Sequence, residues 1–449
     1  MSLEVKHFPQ DYRTVYNPVE VVVFETSGTV RAYEGFAYLL DVKDGSTLVG
    51  RLRVPPTTDG FGRFDMSGIM ESYLSSDLGD LNTSNIEGIS ANPNSWKEFT
   101  IQLGWEHYNG GTYTIDMPKN FTLPEGGDPV ANVDLVVFNG SLPQYRRDVE
   151  NFYDWQATDY YKLYTQNSPA PRRFFRRFLT HQPSHNVNDK NNLTCQITDE
   201  GYLYLLYDHS GNPFDRYKII TFDSSGSTLS TTVVQKPTGL TDHHLKLAAY
   251  PSTINDIASS ELLSGSQPII SSNATSYSIQ LFDNITEESI VMCYNIDTEC
   301  RYQTRRIEFL NSLGGFDYFN FTQVSRHSEQ IERKFFKQNA DDLTASGSIN
   351  YDISNREKVQ YYTKSMPSLK LVSNWISYEK FNWLLEMIES PEIYLIDTYT
   401  NDNTLETLNR RVPIKNIKEN WEEKREDTDQ LFNLEINLEF GMDNFRQRF

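Results

Sequence analysis

The sequence predicts a mainly β protein of several domains, with β-sandwiches first and an α+β domain at the C-terminus. Three observations carry that expectation. Near the end of the chain Phe432, Leu434, Ile436, Leu438 and Phe440 alternate with Asn433, Glu435, Asn437 and Glu439. This is the period of a strand with one buried and one wet face. Elsewhere β-branched and aromatic runs are separated by Gly, Asp, Asn and Ser where turns need them. Aromatic residues make up 13% of the 449, with 27 Tyr and 26 Phe, which excludes coiled coil, collagen and extended disorder.

Residues 1–140 read as the first sandwich. Residues 19–24 are a β-branched run. Residues 36–42 and 48–54 flank the turn Lys43, Asp44, Gly45, Ser46 as a hairpin,. Pro55 and Pro56 stop the second strand, because proline brings no N–H to the ladder. Met66, Ile69, Met70, Tyr73 and Leu74 then fall on one helical face, with Asp65 as the expected N-cap,. Residues 99–105 and 133–138 complete the strands.

Residues 141–175 read as a helical connector and a stiff linker ending at Ser168, Pro169, Ala170 and Pro171,. The basic run of Arg172, Arg173, Arg176 and Arg177 around Phe174 and Phe175 follows. Its two readings are a solvated strand end and a docking patch for an acidic neighbour. Residues 176–305 read as a second sandwich, with strands at 201–206, 216–222, 229–234, 276–282 and 289–294. No sequence repeat relates it to the first.

Residues 306–449 mix element types. Strands at 307–310 and 318–321 flank Asn311, Ser312, Leu313, Gly314 and Gly315, the glycines allowing a tight turn,. Phe381, Leu384, Leu385 and Ile388 mark an amphipathic helix capped by Ser377 and stopped by Pro391,. Residues 392–397 and the alternating segment are strands. Arg446 and Arg448 lie in a charged tail.

The charge balance, 41 basic against 61 acidic residues for a net −20, argues against broad contact with nucleic-acid backbones. Cys195, Cys293 and Cys300 are odd in number and form no CxxC, so neither a disulfide framework nor a zinc ribbon is expected. The opening residues carry no apolar signal region, and no run approaches the roughly 18 apolar residues of a membrane span. The expectation is a reducing compartment and no membrane. The sequons, such as those at Asn139 and Asn284, follow from composition.

Catalytic signatures are absent: no GxGxxG, P-loop, HExxH or GxSxG,. His181, His185 and Cys195 have a spacing that zinc could use on a helix, but proline lies between the histidines,. His243 and His244 read as a turn. The Asp/Asn-rich stretches at 208–212 and 401–403 lack EF-hand spacing and read as turns. Trp96, Trp105 and Tyr108 would suit either sugar stacking or core packing. The expectation is no enzyme, no cofactor and no metal, with a glycan-binding adhesin or a glycoside hydrolase as alternatives.

Three motifs carry a family resemblance. The first is Arg51-Leu52-Arg53-Val54-Pro55-Pro56, then Gly60-Phe61-Gly62-Arg63-Phe64-Asp65 with Ile69, Tyr73 and Leu74. The second is Ile307-Glu308-Phe309-Leu310-Asn311-Ser312-Leu313-Gly314-Gly315-Phe316-Asp317-Tyr318-Phe319. The third is the alternating segment with Val412-Pro413-Ile414 before it. Together they resemble virion structural proteins of tailed phages of Bacteroidota, including crAss-like phages. The resemblance implies a neck, tail-ring or hub component built of Ig-like sandwiches. It implies a ring of like copies contacting other virion proteins, located in the virion and made in the host cytoplasm. Arg172, Arg173, Arg176, Arg177, Arg446 and Arg448 are then the candidate interface residues.

Overall fold

The computed structural model describes residues 3–9, 12–109, 111–124, 126, 128–142, 178–207, 214–298, 301–339, 341–351, 357–400, 402, 407–417, 424–425 and 431–442. The chain is mainly β and divides into two compact units. One is Met1–Thr298 with Leu310–Asp317, the other Glu299–Phe309 with Tyr318–Phe449.

The first unit begins with strands β1 (Leu3–His7), β2 (Tyr12–Thr14) and β3 (Glu20–Glu25), then helix α1 (Gly28–Arg31). β4 (Ala37–Asp44), β5 (Thr47–Val54) and β6 (Phe61–Asp65) follow, then α2 (Ser67–Met70) and β7 (Ile89–Ala91). β8 (Trp96–Asn109), β9 (Thr112–Asp116), β10 (Phe121–Thr122) and β11 (Val133–Phe138) complete the set. One sheet runs β10-β1-β3-β6 and the other β2-β11-β8-β4-β5, with β9 on β8. In Ig lettering the second sheet is G-F-C-C′ in the order β11-β8-β4-β5, and β3 with β6 supplies B and E. Inward residues such as Val21, Val23, Leu40, Phe99, Ile101 and Leu103 fill the space between the sheets, each worth roughly 1.5–3 kcal/mol of burial.

The second sandwich repeats this order. Its strands are β12 (Leu193–Cys195), β13 (Tyr202–Leu206), β14 (Arg216–Phe222), β15 (Thr228–Gln235) and β16 (His244–Ala248). Then come α3 (Pro251–Asn255), β17 (Leu262–Ser264), β18 (Ser276–Asp283), β19 (Thr286–Glu287) and β20 (Met292–Ile296). The larger sheet runs β12-β20-β18-β14-β15-β17, again G-F-C-C′ with a parallel strand beside G: β12 on β20 here, β2 on β11 in the first. β13 pairs with β16 as B with E. Each C strand carries a fully buried tyrosine in second place, Tyr38 and Tyr217.

The sandwiches differ after strand E. Each has a short helix there, then a short strand. In the second sandwich that strand is β17, which pairs with its own β15. In the first it is β7, which leaves home and pairs with β16, matching Ile89 to Leu247 and Ala91 to Leu245. The first sandwich thus donates an edge strand to the second. The segment around it is bonded along its length. Ile86 N–H donates to Asp256 O (2.9 Å), Ala248 N–H to Gly88 O (2.9 Å) and Asn92 N–H to His244 O (2.9 Å). Tyr202 and Tyr204 hydroxyls donate to Asp80 O (3.2 Å) and Asp77 O (3.3 Å).

The second unit holds β21 (Arg305–Leu310) and β22 (Phe316–Phe321), except for their ends at Leu310 and Phe316–Asp317, which belong to the first unit. It then holds β23 (Arg326–Lys337), β24 (Asp341–Leu343), β25 (Ile349–Tyr351), β26 (Lys358–Val372) and β27 (Ile376–Ser377). Helix α4 (Tyr378–Glu389) follows, then β28 (Ile393–Thr400), β29 (Thr407–Ile417), β30 (Lys424–Arg425), β31 (Leu431–Asn433) and β32 (Glu435–Phe440). The main sheet runs β22-β21-β28-β29-β32-β26-β23. α4 starts where expected: Ser377 Oγ accepts from Lys380 N–H at 3.4 Å. Its Trp383 packs on Phe309 and Phe319, with ring centroids at 5.7 and 6.1 Å. This is the predicted α+β region.

Several local expectations need correction. The helical N-cap is Met66, not Asp65. Asp65 stays in β6, and its carboxylate accepts from the N–H groups of Ser67 (3.0 Å) and Val19 (3.2 Å). The strand expected at 289–294 starts at Met292, because Ser289 turns its hydroxyl to accept from Leu281 N–H (3.0 Å). His244 opens a strand instead of sitting in a turn. The alternating C-terminal segment keeps its period but splits between two sheets. At Leu434 the backbone bonds Ser373, with Ser373 N–H donating to Leu434 O (2.8 Å) and Leu434 N–H to Ser373 Oγ (2.9 Å). Phe432 therefore stacks on Phe381 of α4 (5.0 Å), while Ile436 and Leu438 face the main sheet's core.

Candidate interaction surface

The basic residues proposed as an interface, Arg172, Arg173, Arg176, Arg177, Arg446 and Arg448, lie outside the described residues, as do residues 208–212. The second motif's turn is described, within the first unit. Gly314 takes φ +85°, and a Cβ there would overlap the Asn139 carbonyl oxygen. A Cβ on Gly315 would come within 2.9 Å of Leu179 O. Asn311 Oδ1 accepts from Leu313 N–H (2.9 Å) and Gly315 N–H (3.1 Å), and its Nδ2 donates to Leu179 O (2.8 Å). The glycines serve both the turn and close backbone approach.

The candidate metal ligands stand apart in their bonding. His181 Nδ1 is 3.5 Å from Ser312 Oγ, His185 N–H donates to Asn192 Oδ1 (2.9 Å), and Cys195 Sγ lies 3.6 Å from Tyr277 Oη. Among the described residues no group of three His, Cys, Asp or Glu is placed to hold a metal. No helix among them is long and apolar enough to cross a membrane.

Buried ionisable groups serve packing. His244 is fully buried between the donated strand and Tyr204, and desolvation pushes its pKa down to about 3. Asn92 Nδ2 donates to its Nδ1 at 2.7 Å. Burial raises the thiol of Cys293 to about 11. In the second unit Glu308 is fully buried and is held by Arg411, whose Nη2 donates to Oε1 at 3.0 Å, and by Tyr318 Oη at 2.8 Å. A carboxylate so placed is tolerable only with its charge and lone pairs satisfied.

Two exposed surfaces remain. The first is the hairpin of β23 and β26, paired from Arg326↔Lys370 to Lys337↔Lys358 with a bulge at Lys334/Phe335. β23 ends the sheet order, and all twelve of its residues are exposed. Ile331, Phe335, Phe336 and Tyr361 are 45, 54, 46 and 56% exposed. The two strands carry seven Lys or Arg and two Glu, against the acidic balance of the whole chain. Sequence periodicity missed this hairpin because a strand wet on both faces has no apolar alternation. The available signal was β-branched and aromatic residues set in a charged run.

The second surface is an aromatic platform on the first sandwich. Tyr33 stacks on His107 with centroids at 4.6 Å, and Tyr108 meets Tyr113 edge-on at 5.4 Å. Tyr33, Tyr108 and Tyr113 are each more than a third exposed. Trp105, by contrast, is core, and Trp96 packs edge-on against His243 at 4.8 Å.

No family model matches the chain, and no curated protein matches it. Among solved structures it is similar to the FN1–FN3 domains of chicken CNTN1, at 9% identity over 66% of this chain and 68% of that one. The TM-score is 0.15, a likeness that carries no argument; the Ig-like description rests on the strand order above.

Proposed function

We propose that the chain is a structural component of a phage virion, part of the neck or tail as a ring, hub or adaptor. It acts through contacts with copies of itself and with other virion proteins, and it performs no catalysis. The observation that supports this reading is the β23–β26 hairpin, which presents apolar side chains along an open strand edge. Its charged residues and bulge guard the edge against indiscriminate strand pairing, and exposed apolar surface of this kind marks contact sites. The donated strand β7 adds to the case, since it fixes two sandwiches as one spacer. The motifs that resemble phage structural proteins fall in strands β5 and β6, in the β21–β22 turn, and in β29 and β32. The test is solution mass by light scattering across concentration. A discrete oligomer supports assembly, and a strict monomer at every concentration counts against it.

The aromatic platform of Tyr33, His107, Tyr108 and Tyr113 favours a second reading, a glycan-binding module, since sugars stack on exposed rings. A glycan array decides it: binding lost on Tyr113→Ala would move the assignment to adhesin or receptor binder.

A further inference from the structure

We propose that the β23–β26 hairpin is the male half of a head-to-tail contact, docking onto the acidic exterior of a second copy of this chain. The inference rests on the assembly reading above and names its surface and partner.

β23 offers twelve residues of edge, about 40 Å of strand at 3.4 Å per residue. Its inner side is taken by β26 and its outer side by no strand among the described residues. Its apolar residues give a partner something to bury: Ile331, Phe335 and Phe336 on β23 and Tyr361 on β26, all about half exposed. Its charge says which partner. The two strands hold seven basic residues against two acidic ones. Asp341 and Asp342 follow in the sequence of β24, and the Lys337–Glu357 and Lys370–Glu435 ion pairs offset part of that charge. The two strands still stay a net cationic arm on a protein of net charge −20. Everything else in the chain is therefore more acidic still, and any second copy presents the opposite sign to the arm.

The same charge disfavours arm-to-arm pairing, which would set like net charges side by side. A basic arm meeting an acidic face elsewhere is a heterologous contact, the kind that closes into a ring or runs into a filament. Nucleic acid would also attract a cationic arm with aromatics. It is disfavoured because Glu329 and Glu332 lie within β23 itself and because the acidic bulk repels phosphates.

The experiment uses the full chain, with sedimentation velocity at low and high salt. Four proteins are compared: wild type, the double variant Arg333→Glu/Lys334→Glu, the variant Phe335→Ser/Phe336→Ser, and Lys190→Glu, an exposed charge on the second sandwich. Because the changed hairpin side chains are exposed, each variant is expected to keep the wild-type circular dichroism. The expected result is wild-type association that salt weakens. Both hairpin variants lose it by roughly tenfold or more in apparent affinity, and Lys190→Glu leaves it intact. Association that persists in both hairpin variants overturns this inference and leaves the assembly reading standing. Association that salt strengthens points to arm-on-arm contact and also overturns it. A wild-type monomer in every condition overturns both. Retention of a DNA oligonucleotide by wild type but not by the charge variant, without self-association, replaces the proposed partner with nucleic acid.

Discussion

Strands β7 and β17 occupy the same place in two copies of one fold, after strand E and its short helix, and they end up with different neighbours. β17 stays on its own sandwich and leaves Leu263 half exposed. β7 crosses to the other sandwich and buries Ile89 completely. The chain thus uses one topological slot twice, once to finish a sheet edge and once to join two domains. An inter-domain join made by backbone pairing is stiffer than side-chain contact across a linker, and here the two sandwiches belong to one compact unit.

The difference can be broken at graded cost. Gly314→Ala should be the most damaging change, because φ is +85° and the new methyl would overlap backbone at Asn139. A loss of at least about 3 kcal/mol is expected, read as a fall in the urea midpoint. A loss below about 1 kcal/mol would mean that the 310–317 turn is not held as described. Next, Ile89→Ala should destabilise by about 2–3 kcal/mol through an unfilled cavity, whereas Leu263→Ala in β17 should stay within about 0.5 kcal/mol. Equal effects at the two sites would erase the distinction between donated and home strand. A separate early unfolding step in Ile89→Ala would sharpen it, because the sandwiches would have come apart before either melts.

A pH dependence is expected at the same seam, below the cost of Gly314→Ala. The fold keeps His244 neutral down to about pH 3, while an unfolded histidine takes its proton near pH 6.5. Between these values the unfolded state binds the extra proton, so stability falls as pH falls, by about 1.4 kcal/mol per unit. From pH 6.5 to 5 this gives about 2 kcal/mol from His244. His244→Leu should flatten that slope in urea titrations. An unchanged slope would show that other groups govern acid sensitivity.

Much of the fold was legible in the sequence, and the reasons are local. Residues 216–222 coincide with β14 because burial mostly on one face leaves a clear period. Residues 133–138 coincide with β11 as a short apolar run, buried on both faces at its end and bounded by turns. α4 was legible through Ser377 and Pro391. What escaped was set by distant partners. Nothing within residues 89–91 announces that they pair with 245–247, and the strand order that the two sandwiches share shows in the sequence only as a tyrosine at matching places in the C strands. The β23–β26 hairpin escaped for the opposite reason, being too exposed to show a pattern. The interface expected from arginine runs lies outside the described residues, and the basic surface that is described is spread along two strands with only Arg333 and Lys334 adjacent, where no run of like residues marks it.

The donated strand also sets a timetable. β16, its partner, is made about 150 residues after β7, on the order of 10 s at common synthesis rates. During that interval the first sandwich can close around its own core, yet its β7 waits with an unsatisfied edge. On a crowded message the β16 of a neighbouring nascent chain could accept it first. Two chains so exchanged would be a swapped dimer with every native bond made, indistinguishable by its hydrogen bonds from the monomer and separable from it only by unfolding.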